Sequence, residues 1–126
     1  MSPQYVNIVD AVKLFFSNYV NFRGRSTRSE FWWMMVASIF ISVIIAIING
    51  IIAVATDEPS VLFTTIVCLA LLLPYISLFI RRLHDVGKSG WFLLLALLPI
   101  VDLYLIYLFC QPSDGPNQWG EPASNY

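Results

Sequence analysis

Residues 81–91 (RRLHDVGKSGW) form the only strongly polar run between residues 60 and 110, and they include side chains that could do chemistry. His84 and Asp85 could form an acid–base pair, because a carboxylate can orient an imidazole. No serine or cysteine nucleophile accompanies them at a recognisable spacing, and the chain has a single histidine. The sequence therefore favours a structural role, in which Asp85 forms ion pairs with nearby arginines.

The triplet Gly87-Lys88-Ser89 in this run is similar to part of a phosphate-binding loop. The complete motif needs a further glycine at the position of Arg82, a preceding strand and a following soluble helix. Arg82 is not glycine, and both flanks of the run are long apolar blocks. The sequence thus argues against a nucleotide site, and the glycines of this run are expected to form a tight reversal between two membrane spans.

The composition shows which solvent must surround most of the chain. Of its 126 residues, 58% are apolar and 12% are charged, and the mean hydropathy is +0.72. Soluble domains are about a quarter charged, and a soluble chain this short has too much surface to hide so many apolar side chains. The composition therefore predicts a single membrane domain.

Three apolar runs, residues 31–56, 60–80 and 91–110, are long enough to cross a bilayer, which takes about 20 residues. Residues 5–22 are too polar to cross, but their apolar side chains recur at helical spacing. They predict an amphipathic helix that lies in the membrane interface, with packing against another domain as the open alternative. The fold class expected is an all-α integral membrane protein with three transmembrane helices and this interfacial helix.

The distribution of basic residues predicts the orientation. All seven Lys and Arg residues lie either in the first 28 residues or between residues 81 and 88. The connection 57–59 and the tail 111–126 carry acids and no base, so the positive-inside rule places the amino terminus in the cytoplasm. Three spans then leave an extended, turn-rich tail outside. The alternative is that the third run breaks at Pro99 and re-enters, which returns the tail to the cytoplasm.

Three motifs together suggest a family. They are FxGRxxRxEFW at residues 22–32, RRLHDxGxSGW at 81–91 and NxWGxP at 117–122. This combination resembles the DUF805 family of small bacterial inner-membrane proteins without an assigned activity, and it covers nearly the whole chain. The resemblance implies a multi-pass protein of the bacterial inner (plasma) membrane, and it brings no catalytic residues.

The main functional hypothesis is that the two basic segments lie together near one headgroup plane. The planar fork of arginine matches phosphate, so the cluster could hold an anionic lipid headgroup. Basic residues also flank cytoplasmic helix ends without any ligand. The acids among the bases further predict an ion-pair network that pins the helix ends together. The candidate residues are Arg25, Arg28, Glu30, Arg81, Arg82, His84, Asp85 and Lys88.

Small residues recur every fourth position along the first span, and such a ribbon lets a neighbouring helix approach closely. The partner could be another span of the same chain, which is favoured, or a second copy. Asn49 borders the same face. The ribbon consists of Ser38, Ser42, Ala46 and Gly50.

Asp102 is the one acid at depth, roughly 16 Å along the third span at 1.5 Å per residue. A charge there costs roughly several kcal/mol, so we expect the Asp102 carboxylate to have a partner or to be protonated. Ser42 lies at a similar depth, and a hydrogen bond between Ser42 and protonated Asp102 is the candidate interaction. Because Pro99 frees a backbone carbonyl one turn earlier, a solute or proton path is a further hypothesis.

The two cysteines are expected at different depths, Cys68 near mid-bilayer and Cys110 at the outer end of the third span. A disulfide between them is therefore not expected, and neither has a metal-ligand neighbour at a usable spacing. The sequence predicts no metal site, no cofactor and no nucleic-acid partner.

These inferences predict a non-enzymatic scaffold or accessory protein that engages anionic lipid or a membrane partner through the arginine cluster. The alternative is an oligomeric small transporter or channel subunit in which Asp102 is the intramembrane polar site. Several copies would be needed, since three helices enclose little pore. A membrane enzyme ranks last, because the sequence offers no convincing nucleophile or metal-ligand set.

Overall fold

The computed structural model describes residues 6–58 and 60–120, and all the named elements in these ranges are helices. In chain order they are α1 (Ile8–Ser17), α2 (Arg28–Thr56), α3 (Val61–Asp85), a 3₁₀ helix (Gly90–Leu97) and α4 (Asp102–Phe109). The predicted all-helical class is confirmed for these ranges.

Helices α2 and α3 correspond to the first two predicted spans, and both are long and apolar enough to cross a membrane. At 1.5 Å per residue they are about 43 and 37 Å long, more than the hydrocarbon core of about 30 Å. A short connection joins them into an antiparallel hairpin, and Asn49 Oδ1 accepts hydrogen bonds from Ser60 Oγ (2.5 Å) and Thr64 Oγ1 (3.1 Å). Most apolar side chains in the part of the hairpin next to this connection are exposed.

Local chemistry sets the ends of these two helices. Thr27 caps α2, because its Oγ1 accepts from the backbone N–H of Glu30 at 2.9 Å. Asp57 ends α2 in the left-handed region, with φ of +56°. Gly87 follows α3 with φ of +80°, a conformation that glycine adopts without steric cost.

The buried core lies at one end of the bundle, where α1 and α4 pack against the start of α2 and the end of α3. Phe15 of α1 is fully buried, and its ring centroid lies 4.7 Å from that of Tyr75 in α3. The predicted amino-terminal helix is present, and it spans Ile8–Ser17 rather than residues 5–22. Tyr5 lies outside the described residues. Its location in a membrane interface stays a prediction.

Residues 91–110 do not form the continuous third helix that the sequence predicted. The 3₁₀ helix ends before Pro99, which has no N–H to continue it, and Ile100 has φ of +73°. Gly90 packs against Ile80 of α3, and the carbonyl oxygen of Cys110 accepts from Arg28 Nη1 at 3.2 Å. Both ends of the segment therefore lie at the same end of the α2–α3 hairpin, and Cys110 is not at the opposite end as expected.

The packing of α1 yields a test with a matched pair of neighbours. Phe15→Ala removes a ring that is 0% exposed, whereas Phe16→Ala removes one that is 48% exposed. We expect the first to lower the free energy of unfolding by about 3–5 kcal/mol and the second by less than about 1 kcal/mol. Thermal unfolding in a mild detergent measures both, and equal losses would contradict the packing of α1 on the bundle.

Candidate functional site

The polar side chains of the predicted cluster meet at the packed end of the bundle. Charged groups are rarely buried unless they are paired, and here five of the eight predicted site residues are buried. They come from the first turn of α2 and the last turns of α3. The buried members are Glu30, Arg81, Arg82, His84 and Asp85.

Asp85 is the centre of the site, and its carboxylate is fully buried between two guanidinium groups. Arg25 Nε donates to Oδ1 at 2.9 Å, and Arg82 Nη1 donates to Oδ2 at 3.0 Å. Ser113 Oγ, from the tail, donates to Oδ2 at 2.5 Å. One carboxylate therefore joins the turn before α2, the end of α3 and the tail.

Arg25 uses all five of its N–H groups inside the protein. Its Nε pairs with the Asp85 carboxylate, and the other donors reach backbone carbonyl oxygens at 2.8–3.0 Å. These acceptors are the carbonyl oxygens of Asp85, Asp114, Gly115 and Gly120. The side chain thus fixes the tail against α3, and no donor is left for a ligand.

Two further arginines satisfy the carboxyl end of α4. The last carbonyl groups of a helix have no partner within it and carry a partial negative charge. Arg82 Nε and Nη2 donate to the carbonyl oxygen of Phe109 at 3.1 and 2.9 Å, and Nη2 also donates to that of Gln111. Arg28 Nη1 donates to Cys110 at 3.2 Å. The arginines therefore hold α4 at this end of the bundle.

The second buried ion pair joins α2 and α3 directly. Arg81 Nη1 donates to Glu30 Oε2 at 2.8 Å, and Arg81 Nε donates to Ser77 Oγ at 3.3 Å. The carbonyl oxygen of Arg81 also accepts from Ser26 N at 3.1 Å. Among the described residues, Arg81 Nη2 has no hydrogen-bond partner. The pair ties the start of α2 to α3 within the bundle.

His84, in the last turn of α3, is held through a ring nitrogen, through one face of its ring and through its backbone carbonyl group. Its Nδ1 lies 3.1 Å from the carbonyl oxygen of Gly24, and its ring stacks on Trp119 with centroids 4.2 Å apart at 7°. Because a carbonyl group only accepts, Nδ1 carries the proton. Asn117 Nδ2 donates to the His84 carbonyl oxygen at 3.1 Å. This geometry fits a structural role for the histidine.

Lys88 lies beside this network rather than in it. It is half-buried, with Nζ 5.8 Å from the ring centroid of Phe92, and it forms no salt bridge to a described residue. The network therefore contains seven of the eight predicted residues: Arg25, Arg28, Glu30, Arg81, Arg82, His84 and Asp85.

The sequence analysis did not include the tail residues in the site. Its first interpretation placed the tail on the opposite side, and only the alternative of a break at Pro99 returned the tail to this side. Asp114 N donates to the Asp85 carbonyl oxygen at 2.6 Å, beside Gly87. A Cβ at Gly87 would lie 2.6 Å from Asp114 Oδ2, so any other residue there would displace this carboxylate. The NxWG motif was the available signal, since Asn117 and Trp119 both contact His84.

The predicted intramembrane polar contacts are not all present. Ser42 Oγ donates to the Ser38 carbonyl oxygen at 2.8 Å, and within the described ranges no hydrogen bond joins it to Asp102, which is exposed in the first turn of α4. Ser38 bonds the Tyr75 hydroxyl of α3. A Cβ at Gly50 would meet nothing within 4 Å. In this chain the small-residue ribbon therefore packs against α3 at Ser38 but not at Gly50.

Comparison with known proteins identifies the relatives of this chain. The family described as "Protein of unknown function (DUF805)" matches residues 19–121. Inner membrane protein YhaH of Escherichia coli (strain K12) is 32% identical over 105 residues, covering 82% of this chain and 87% of the relative. Inner membrane protein YhaI of the same strain is 36% identical over 105 residues, covering 82% and 86%. No solved structure matches.

Removing the central carboxylate tests the network. Asp85→Asn leaves two buried guanidinium groups without a counter-charge, and we expect a loss of about 3–5 kcal/mol in the free energy of unfolding. The matched control is Asp57→Asn, an exposed position with positive φ that asparagine tolerates. Thermal unfolding in detergent compares the two, and an Asp85→Asn protein as stable as the control would refute the network.

Proposed function

This chain belongs to the DUF805 family, and we propose that it is a non-enzymatic scaffold or accessory protein of the bacterial inner membrane. Relatives that are 32–36% identical over 105 residues are named inner membrane proteins, and α2 and α3 are long and apolar enough to cross a bilayer. The positive-inside rule puts the amino terminus and the arginine network on the cytoplasmic side.

The observation that carries this proposal is the charge balance of the network. Its salt bridges contain three guanidinium groups against two carboxylates, Glu30 and Asp85, so the described ion pairs leave an excess of positive charge. Arg28 and Lys88 add two further cations at its edge and Asp114, beside Gly87, adds one carboxylate, so positive charge stays in excess. A basic surface next to the headgroup plane attracts anionic lipids. We infer that this end of the protein engages anionic headgroups.

The geometry divides the basic residues by role. Arg25 and Arg82 are occupied by carboxylate and carbonyl oxygens, and Arg81 is 2% exposed and paired with Glu30, so these three stabilise the network rather than bind a headgroup. Arg28 uses one N–H on the Cys110 carbonyl oxygen, and its remaining donors can reach a phosphate. Lys88 is not ion-paired to a described residue. Headgroup binding is therefore assigned to Arg28 and Lys88.

Native mass spectrometry from a mild detergent tests this assignment by counting retained phosphatidylglycerol. We expect Arg28→Gln to lower retention about fivefold, since a basic residue near an anionic surface contributes about 1 kcal/mol. The control Lys13→Gln removes one charge from an exposed position on α1 and should retain the lipid within about twofold. Phosphatidylcholine retention should not change in either variant.

Two outcomes would overturn the headgroup assignment. One is an Arg28→Gln protein that is folded by thermal unfolding and retains phosphatidylglycerol as the parent does. The other is an equal loss in Lys13→Gln, because lipid retention would then depend on net charge and not on the position of Arg28.

A further inference from the structure

We propose that residues 90–109 form a hairpin that inserts into the cytoplasmic leaflet alone and contacts its acyl chains. The chain then returns to the side it left, instead of crossing to the opposite side. The inference uses the membrane location proposed above, but it does not depend on whether Arg28 and Lys88 bind anionic headgroups.

The two arms of the hairpin are too short to cross a bilayer. The 3₁₀ helix Gly90–Leu97 has eight residues and a length of about 16 Å, and α4, Asp102–Phe109, also has eight and a length of about 12 Å. Half of the hydrocarbon core is about 15 Å thick. Gly90 packs on Ile80, and the carbonyl oxygen of Cys110 accepts a hydrogen bond from Arg28. The first arm therefore begins beside the arginine network, and the second arm ends beside it. Each arm therefore matches the depth of one leaflet.

The surface of the hairpin is suited to acyl chains. Leu97 and Ile100 at the turn are each 79% exposed. The opposite side of the hairpin is covered, because Leu105 and Leu108 of α4 are buried in the core and the 3₁₀ helix packs on α3. The exposed side adjoins the apolar surface of α2 and α3, so one lipid environment covers both.

A lipid environment requires that backbone polar groups be satisfied internally, and four N–H groups at the turn have partners within the chain. Leu98 N donates to Leu95 at 3.1 Å, and Val101 N donates to Pro99 at 2.8 Å. Leu103 and Tyr104 donate to the carbonyl groups three residues earlier. Proline at the turn has no N–H that would need a partner.

The base of the hairpin carries the groups expected at its depth. Trp91 is 78% exposed and Lys88 precedes it by three residues, which suits the headgroup level, where tryptophan and lysine anchor membrane segments. Asp102 is the one charged residue between residues 89 and 113. The cost of placing its carboxyl group at depth is about 2.5–3.5 kcal/mol on insertion scales, and placing the exposed Leu97 and Ile100 in lipid offsets it at about 1.5–3 kcal/mol for each complete side chain.

Site-directed spin labelling in proteoliposomes tests the depth of the turn. In a protein with Cys68→Ala and Cys110→Ala, a nitroxide at Ile100→Cys should collide with oxygen but not with an aqueous nickel chelate. Leu97→Cys gives a second probe of the turn should the first variant fail to fold. Gly115→Cys, in the exposed tail, is the control and should be accessible to the chelate.

Labelling with a membrane-impermeant maleimide in spheroplasts tests the return of the chain. Glu58→Cys, in the exposed connection between α2 and α3, should react from outside, and Gly115→Cys should react only after permeabilisation. Reaction of Gly115→Cys from outside would mean a third crossing and would overturn the proposal. Chelate access at both turn probes, or oxygen exclusion from them, would also overturn it, since water or protein would then cover the turn.

Discussion

The buried carboxylate of Asp85 is the constraint on which the packed end of this protein depends. It forms ion pairs with both Arg25 and Arg82, and burying either guanidinium group without a counter-charge would cost roughly several kcal/mol. Held in this way, the two side chains supply the donors that bind the tail and the carboxyl end of α4. A single acid thus determines whether four separate segments can meet.

This constraint explains why the molecule has two unlike ends. At the end of the arginine network, α1, α4 and the tail cover α2 and α3, and the buried core forms there. Toward the connection between α2 and α3, the hairpin is covered by nothing in the described chain, and the contacts of Asn49 with Ser60 and Thr64 join the two helices. The proposed lipid environment takes the place of a protein core around that half.

The sequence predicts the parts of the structure that follow from local pattern. Apolar length predicts α2 and α3, and the acids among the arginines predict an ion-pair network, because like charges would otherwise repel. Hydropathy does not register the break in the third apolar run. Pro99 made the break an alternative at the level of sequence, and the positive φ of Ile100 completes it. The tail escaped prediction for a different reason. It has no basic residue for the positive-inside rule to place, and it is held through its backbone carbonyl groups, which every residue has.

A double-mutant cycle on Arg25 and Asp85 tests the central claim most directly. The free energy of unfolding is measured for the parent, Arg25→Gln, Asp85→Asn and the double variant. If the two side chains hold the packed end as one unit, the double variant loses less than the sum of the single losses, by about 1–3 kcal/mol. Losses that add within about 0.5 kcal/mol would show that the two residues act independently, and that the carboxylate does not organise this end of the protein.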